Sequence, residues 1–187
     1  MSLFGFIKEA IAFRKALKAS IQEQAEQETA HLAMTTAELA ALSDEDLFEA
    51  VLTRTEHIVD AYDEIADGLC ALNEEQRILY AVNYLEIAVN NGGLCQFFVN
   101  SSRIVAPTVS DYMGIIGANK HKQLYDDFVQ KYRIDLNDLS SFDSDTAEDF
   151  EAQYDRYPFD EFDDAFYELE TLEEYLIPYI KAHLSKF

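Results

Sequence analysis

Basic residues are scarce in this chain, and along one stretch they almost vanish: between Arg133 and Lys181 there is only Arg156. In all, 14 Lys and Arg face 36 Asp and Glu, a formal net charge of −22. A charge that large repels phosphate backbones and anionic bilayers, which argues against direct nucleic-acid binding and favours a cationic partner. Glycine and proline are few, six and three. That excludes a fold built mainly of tight turns and fits long helices. Two cysteines, Cys70 and Cys95, lie far apart and in no metal-ligand spacing. They read as reduced, buried small side chains of a cytoplasmic protein. No apolar run approaches transmembrane length, and the N-terminal residues lack the apolar block and cleavage site of a signal peptide. No strand-like alternation of any length occurs, nor a G-x-S-x-G, phosphate-loop or dinucleotide motif. An enzyme is not expected, and no cofactor is implied.

What the chain does have is acidity mixed with aromatics. Residues 135–174 hold sixteen Asp and Glu interleaved with Phe and Tyr. A disordered acidic tail lacks such aromatics, because high charge with low hydrophobicity prevents a core from forming. This segment therefore folds and holds its carboxylates in fixed positions. The charge is also graded: residues 1–30 balance, 31–134 sum to −9 and 135–187 to −13. Uniform surface acidity, as in a halophile, would show no such gradient. The chain divides into an N-terminal amphipathic helix, 1–30, and an acidic helical domain, 31–187.

Helical spacing of Phe6, Ile7, Ala10, Phe13, Leu17 and Ile21 predicts one long helix over 3–29. Its basic groups allow a membrane contact by residues 1–20; packing on the acidic body of its own chain or of a second copy is favoured, since that body repels anionic bilayers. Ser43 and Asp46 form a capping-box start, for a helix running to about Asp67 and stopped by Gly68. Asn73 caps a helix carrying Ile78, Leu79, Val82, Leu85 and Val89, which Asn90-Asn91-Gly92-Gly93 breaks. A short apolar helix follows from Leu94. Pro107 opens another, ended by Gly117, and residues 119–132 form the next. Residues 134–158 read as loop with short helical turns. Phe159, Phe162, Phe166, Leu169 and Leu172 then make one buried stripe, and Pro178 forces a kink or restart. The fold class is all-α: a compact multi-helix domain with a long N-terminal amphipathic helix.

The opposite face of the Phe stripe carries the candidate site. Asp160, Asp164 and Glu168 follow four-residue steps, flanked by Glu161, Asp163 and Glu170, with Asp143, Asp145, Glu148 and Asp149 as a rim. Like charges at this spacing each cost a few tenths of a kcal/mol, and no lysine or arginine lies within this last helix to relieve them. Such a row is placed to occupy a basic groove in place of phosphates; the plain alternative is a solvated face kept polar for solubility. Metal chemistry finds little support. Asp143-x-Asp145 lacks the remaining ligands of a calcium loop, and a single Glu-x-x-His, Glu28 and His31, falls short of a di-iron set. Cys95 follows two glycines near a helix start but is flanked by Leu94, Phe97 and Phe98, so a structural thiol is favoured.

Residues 83–102 contain Glu86, Asn90, Asn91, Gly92, Gly93, Gln96, Phe97, Phe98 and Asn100 in a pattern that resembles the signature of a bacterial DNA-mimic protein family, named for DNA mimic protein nineteen. The later Tyr157-Pro158-Phe159-Asp160-Glu161-Phe162-Asp163-Asp164 is similar to that family's late acidic helix. The resemblance covers about residues 45–185. It implies an all-helical, acidic, cytoplasmic homodimer that imitates duplex DNA and keeps a helix-turn-helix regulator off its operator. The Asn-Gly-Gly segment is not itself acidic and reads as structural: glycine permits the turn, the asparagines cap, and Phe97 and Phe98 pack. Two further readings stay open. One is an immunity-type inhibitor of a basic toxin, with Tyr154 and Tyr157 as aromatic anchors; the other is a helical domain of unassigned function.

Overall fold

The computed structural model describes residues 3–144 and 146–187, with side chains from Phe13 onward except Arg14, Ala16 and Ala147. Among the described residues, ten α-helices run α1 (Leu3–Ala33), α2 (Thr36–Leu39), α3 (Asp44–Asp60), α4 (Ile65–Ala71), α5 (Glu74–Val99), α6 (Ala106–Ile115), α7 (Asn119–Tyr132), α8 (Ala147–Arg156), α9 (Phe159–Tyr167) and α10 (Glu173–Ala182). No strand occurs among the described residues. The all-α expectation holds. Two compact units divide between Arg54 and Thr55, within α3.

In the first unit, Thr35 and Glu38 make a capping box for α2, and Ser43 and Asp46 bond reciprocally at the start of α3. Arg54 donates to the Met34 carbonyl at 3.0 Å and Gln27 to Glu49 at 2.8 Å, tying the end of α1 to α3. The amphipathic reading of α1 meets a limit: Phe6, Ile7 and Ala10 have side chains outside the described residues. Phe13, Leu17 and Ile21 are 69 %, 50 % and 57 % exposed.

The second unit is built around α5. Ile78, Leu79, Val82, Leu85 and Val89 are buried, as the period of 3.6 predicts, and α6, α7, α9 and α10 pack against α5 or one another. Asn73 and Gln76 form the capping box that starts α5. The core between α5, α7 and α9 is aromatic. Phe98 lies 5.0 Å from Phe142, and Phe128 lies 5.4 Å from Phe159 and 5.5 Å from Phe162.

Four local readings are corrected. Gly68 does not stop a helix; α3 ends at Asp60 and Gly68 lies within α4. A Cβ there would come within 2.7 Å of the Val59 carbonyl oxygen, so glycine is required for close packing. Residues 147–156 form the helix α8, started by a Thr146–Asp149 capping box. The last stretch breaks at residues 168–172, and α10 runs through Pro178. Cys70 is exposed.

Helix α6 ends as expected, with Gly117 left-handed and the Ala118 N–H bonded to the Met113 carbonyl at 2.8 Å. At the end of α7 the same left-handed position holds Arg133, φ 53°. A non-glycine residue there is strained by about 1–2 kcal/mol. Because Arg133 is exposed, Arg133→Gly is expected to raise stability in chemical denaturation by about 1 kcal/mol; no gain would show that its side chain compensates the strain.

Candidate functional site at the Asn-Gly-Gly kink

Helix α5 is broken at its family-like motif. Gly92 has φ −168°, ψ 27° and Gly93 φ 76°, ψ 177°. The second of these is a conformation essentially confined to glycine. A break in a helix orphans backbone groups, which must find other partners when buried. Here side chains of α8 and α9 supply them. The buried Leu94 N–H donates to Asp163 Oδ1 at 2.8 Å. The Tyr167 hydroxyl donates to the Val89 carbonyl at 2.7 Å, and the Tyr154 hydroxyl to the Gly92 carbonyl at 3.1 Å. Capping therefore does not come from the asparagines, as the sequence suggested. Asn90 and Asn91 are exposed, and neither side chain has a hydrogen bond among the described residues.

Asp163 is thus not part of the exposed row. It is only 8 % exposed, and its carboxylate fills the space where a Cβ on Gly93 would be, 2.1 Å from Oδ2. Burial pushes its carboxyl up to about 6, against the Leu94 hydrogen bond that lowers it; Asp160 and Asp164 push the same way as burial. Asp163 also adds to the burial that raises the Cys95 thiol to about 12. Cys95 is wholly buried, which suits a structural thiol and not a nucleophile.

Glu86 does the reciprocal job. Its carboxylate accepts the Leu172 N–H at 2.7 Å, at the start of α10. Burial raises its carboxyl above the usual range, opposed by backbone bonds from Leu172 and Glu173. The motif on α5 caps α10, and α9 caps the restarted part of α5. Gln96 accepts the Asn100 N–H through its carbonyl, closing the helix, and Phe97 and Phe98 are fully buried. These motif residues hold the fold around the acidic helix.

The other acids separate by their surroundings. Glu161 lies 3.6 Å from Lys131, Glu170 3.4 Å from Lys120, and Asp143 2.5 Å from Arg103. The two lysine pairs are exposed and screened by solvent, while Arg103 is partly buried. Lysines of α7 therefore relieve part of the repulsion that looked unrelieved in the sequence. Asp149 is taken up in its capping box, with Thr146 Oγ1 2.7 Å away, Glu148 is exposed beside it, and Asp145 lies outside the described residues. Asp160, Asp164 and Glu168 are exposed and pair with no cation among the described residues. Glu168 stands at the cap of α9 and Glu170 beyond it, so the four-residue ladder ends at Glu168. The proposed anchors Tyr154 and Tyr157 are half-buried, Tyr157 stacking on Phe142 at 5.5 Å. On α9 it is Tyr167 that is exposed, 53 % accessible.

Asn90, Asn91, Gly92 and Gly93 meet Asp160, Asp163, Asp164 and Tyr167 around a hollow of about 380 Å³. The motif and the acidic row, 70 positions apart from Asn90 to Asp160, thus share one site. No group of three or more His, Cys, Asp or Glu among the described residues is arranged to hold a metal ion, and no described helix is long and apolar enough to cross a membrane. No curated protein matches the chain, and neither does any solved structure. A family model does, over residues 70–183, a span that takes in the kink, both trans caps and the acidic row. The chain belongs to the family described as DMP19-like protein.

Proposed function

We propose that this protein is a non-enzymatic inhibitor that presents carboxylates in place of DNA phosphates to the basic surface of a transcription factor or other nucleic-acid-binding protein. Family membership suggests a DNA-mimic type of function. The observation that carries the reading for this chain is the exposed row Asp160, Asp164 and Glu168, without a cation partner among the described residues, on a helix whose inner face is pinned by Asp163. Rigid, unpaired charge is ready to bind without first breaking internal ion pairs. A helix-turn-helix regulator is the partner this reading favours, and a homodimer would place two such rows in one particle. An inhibitor of a basic toxin uses the same electrostatics. It ranks second because Tyr154 and Tyr157, its expected anchors, are engaged inside the fold.

The test is capture of nucleic-acid-binding proteins at low salt, followed by competition of a captured partner with its DNA. Affinity should fall steeply as salt rises. Changing Asp160, Asp164 and Glu168 to Asn, Asn and Gln should weaken binding about tenfold, mainly through the association rate. Capture of no such protein, or unchanged affinity in the triple variant, overturns the reading.

A further inference from the structure

We propose that α1 pairs antiparallel with α1 of a second copy of this chain, with Phe13, Leu17 and Ile21 at the centre of the contact. The proposal goes beyond the reading above. It concerns a helix outside the residues that the family model matches, 70–183, and it uses none of the acidic row.

The apolar stripe supplies the first argument. From Leu17 to Ala30 every residue of α1 is exposed. Helices in water owe most of their stability to packing of one face, because intrinsic propensity alone is marginal. Phe13, Leu17 and Ile21 follow four-residue steps, so they lie along one face, and each is at least 50 % exposed. A row of large apolar side chains on an otherwise polar helix is a contact face, unlike apolar residues scattered singly.

The order of charges supplies the second argument and names the partner. Residues 3–18 carry Lys8, Arg14, Lys15 and Lys18 against Glu9, a sum of +3. Residues 19–33 carry Glu23, Glu26 and Glu28, a sum of −3. No Lys or Arg of the helix stands three or four residues from a Glu, where opposite charges would attract. Arg14 and Lys18, Lys15 and Lys18, and Glu23 and Glu26 do stand at those steps, where like charges repel. An acidic surface, whether a protein or an anionic bilayer, attracts the first half of α1 and repels the second. The partner that suits both halves carries its charges in the reverse order. A second α1 turned end for end does so.

The two arguments meet at one point. Helix α1 runs from Leu3 to Ala33, so its midpoint is residue 18. The stripe is centred on Leu17, and the charge changes sign between Lys18 and Glu23. A two-fold axis at this place makes the helix complementary to itself, as the contact of a symmetric dimer requires. Stripe meets stripe, and each basic half meets an acidic half. Parallel pairing would set like halves side by side.

The experiment is analytical ultracentrifugation of the full chain over a range of concentration and salt. The parent is expected to form a reversible dimer. Leu17→Asp with Ile21→Asp should raise its dissociation constant at least about 100-fold. Lys15→Glu with Lys18→Glu should weaken the dimer about tenfold at low salt, and Glu23→Lys with Glu26→Lys should do the same. All four exchanges together reverse the order of charges and should return the dimer to within about threefold of the parent. A parallel pair predicts no such recovery. All six positions are exposed, and unchanged thermal unfolding shows that the variants fold. A parent that stays monomeric overturns the proposal, and so does a monomer that binds vesicles of phosphatidylcholine and phosphatidylglycerol through Leu17 and Ile21. A dimer indifferent to Leu17→Asp with Ile21→Asp, or a fourfold exchange no stronger than either pair, also overturns it. Loss of the dimer in the apolar variant with recovery in the fourfold exchange upholds the interface whether or not the acidic row captures a nucleic-acid-binding protein, so the two readings fail separately.

Discussion

Gly93→Ala is expected to cost about 3 kcal/mol of folding stability, among the largest effects of any single methyl group in this protein. Two causes add. Gly93 has φ 76° and ψ 177°, where a side chain is strained by about 1–2 kcal/mol or more. The added methyl would also meet Asp163 Oδ2 at 2.1 Å. That oxygen belongs to a short side chain held at its other end by Leu94, so it cannot swing away without breaking the cap. Losing that buried bond contributes about 1–3 kcal/mol. Gly92 is the control. A Cβ there meets the end of the Gln96 side chain, which can rotate aside, so Gly92→Ala should cost less than about 1 kcal/mol. Chemical denaturation of both variants settles the matter: equal losses would mean that Asp163 does not constrain the turn.

Asp163→Ala should be about as damaging, near 3 kcal/mol, because it leaves the buried Leu94 N–H without an acceptor and opens a void. Asp163→Asn should behave differently. Asparagine keeps an acceptor for Leu94 and removes the buried charge, so at pH 7.5 it should lie within about 1 kcal/mol of the parent. The sign of the pH effect follows from the shift from 3.8 to about 6. A carboxyl raised on folding binds its proton more tightly in the folded state. Its contribution is complete below the unfolded value and is lost as pH rises through about 6. The parent should therefore lose, relative to Asp163→Asn, on the order of 2 kcal/mol between pH 4.5 and 7.5. The difference between the two proteins isolates Asp163 from Glu86 and the surface acids, which titrate in both. A pH-independent difference would show that the Asp163 charge is not desolvated.

Why the sequence yields some of this and not the rest can be seen at Asp163 itself. The helical period was legible because Phe159, Phe162 and Phe166 repeat at three- and four-residue steps. The same period puts position 163 four residues after Phe159 and three before Phe166, on the buried face. Grouping Asp163 with its acidic neighbours overrode that signal. Its partner could not be read at all, since Leu94 lies 69 residues away and only tertiary packing joins them. Glu86 and Leu172 are the same case, 86 residues apart. Local chemistry fared better where it was complete in one segment, as at Asn73 and Gln76 or at Ser43 and Asp46. The Thr146-x-x-Asp149 box was equally local, and it marks the start of α8 that a count of acids concealed. Gly68 was misplaced for a third reason: its role is a contact with Val59, not a backbone angle. The exposed row at Asp160 and Asp164 was legible, but the lysines that quiet Glu161 and Glu170 come from α7 and were not.

The reciprocal caps also impose an order on the making of this protein. A ribosome adding about 5–20 residues per second delivers Asp163 roughly 3–14 s after Leu94, given the 69 residues between them. Throughout that interval the kink at Gly92 and Gly93 has no carboxylate to close it. The carboxylate of Glu86 waits longer still for the Leu172 N–H. The central helix is thus made early and finished late, and the acidic surface comes into being only in the step that completes the core beneath it.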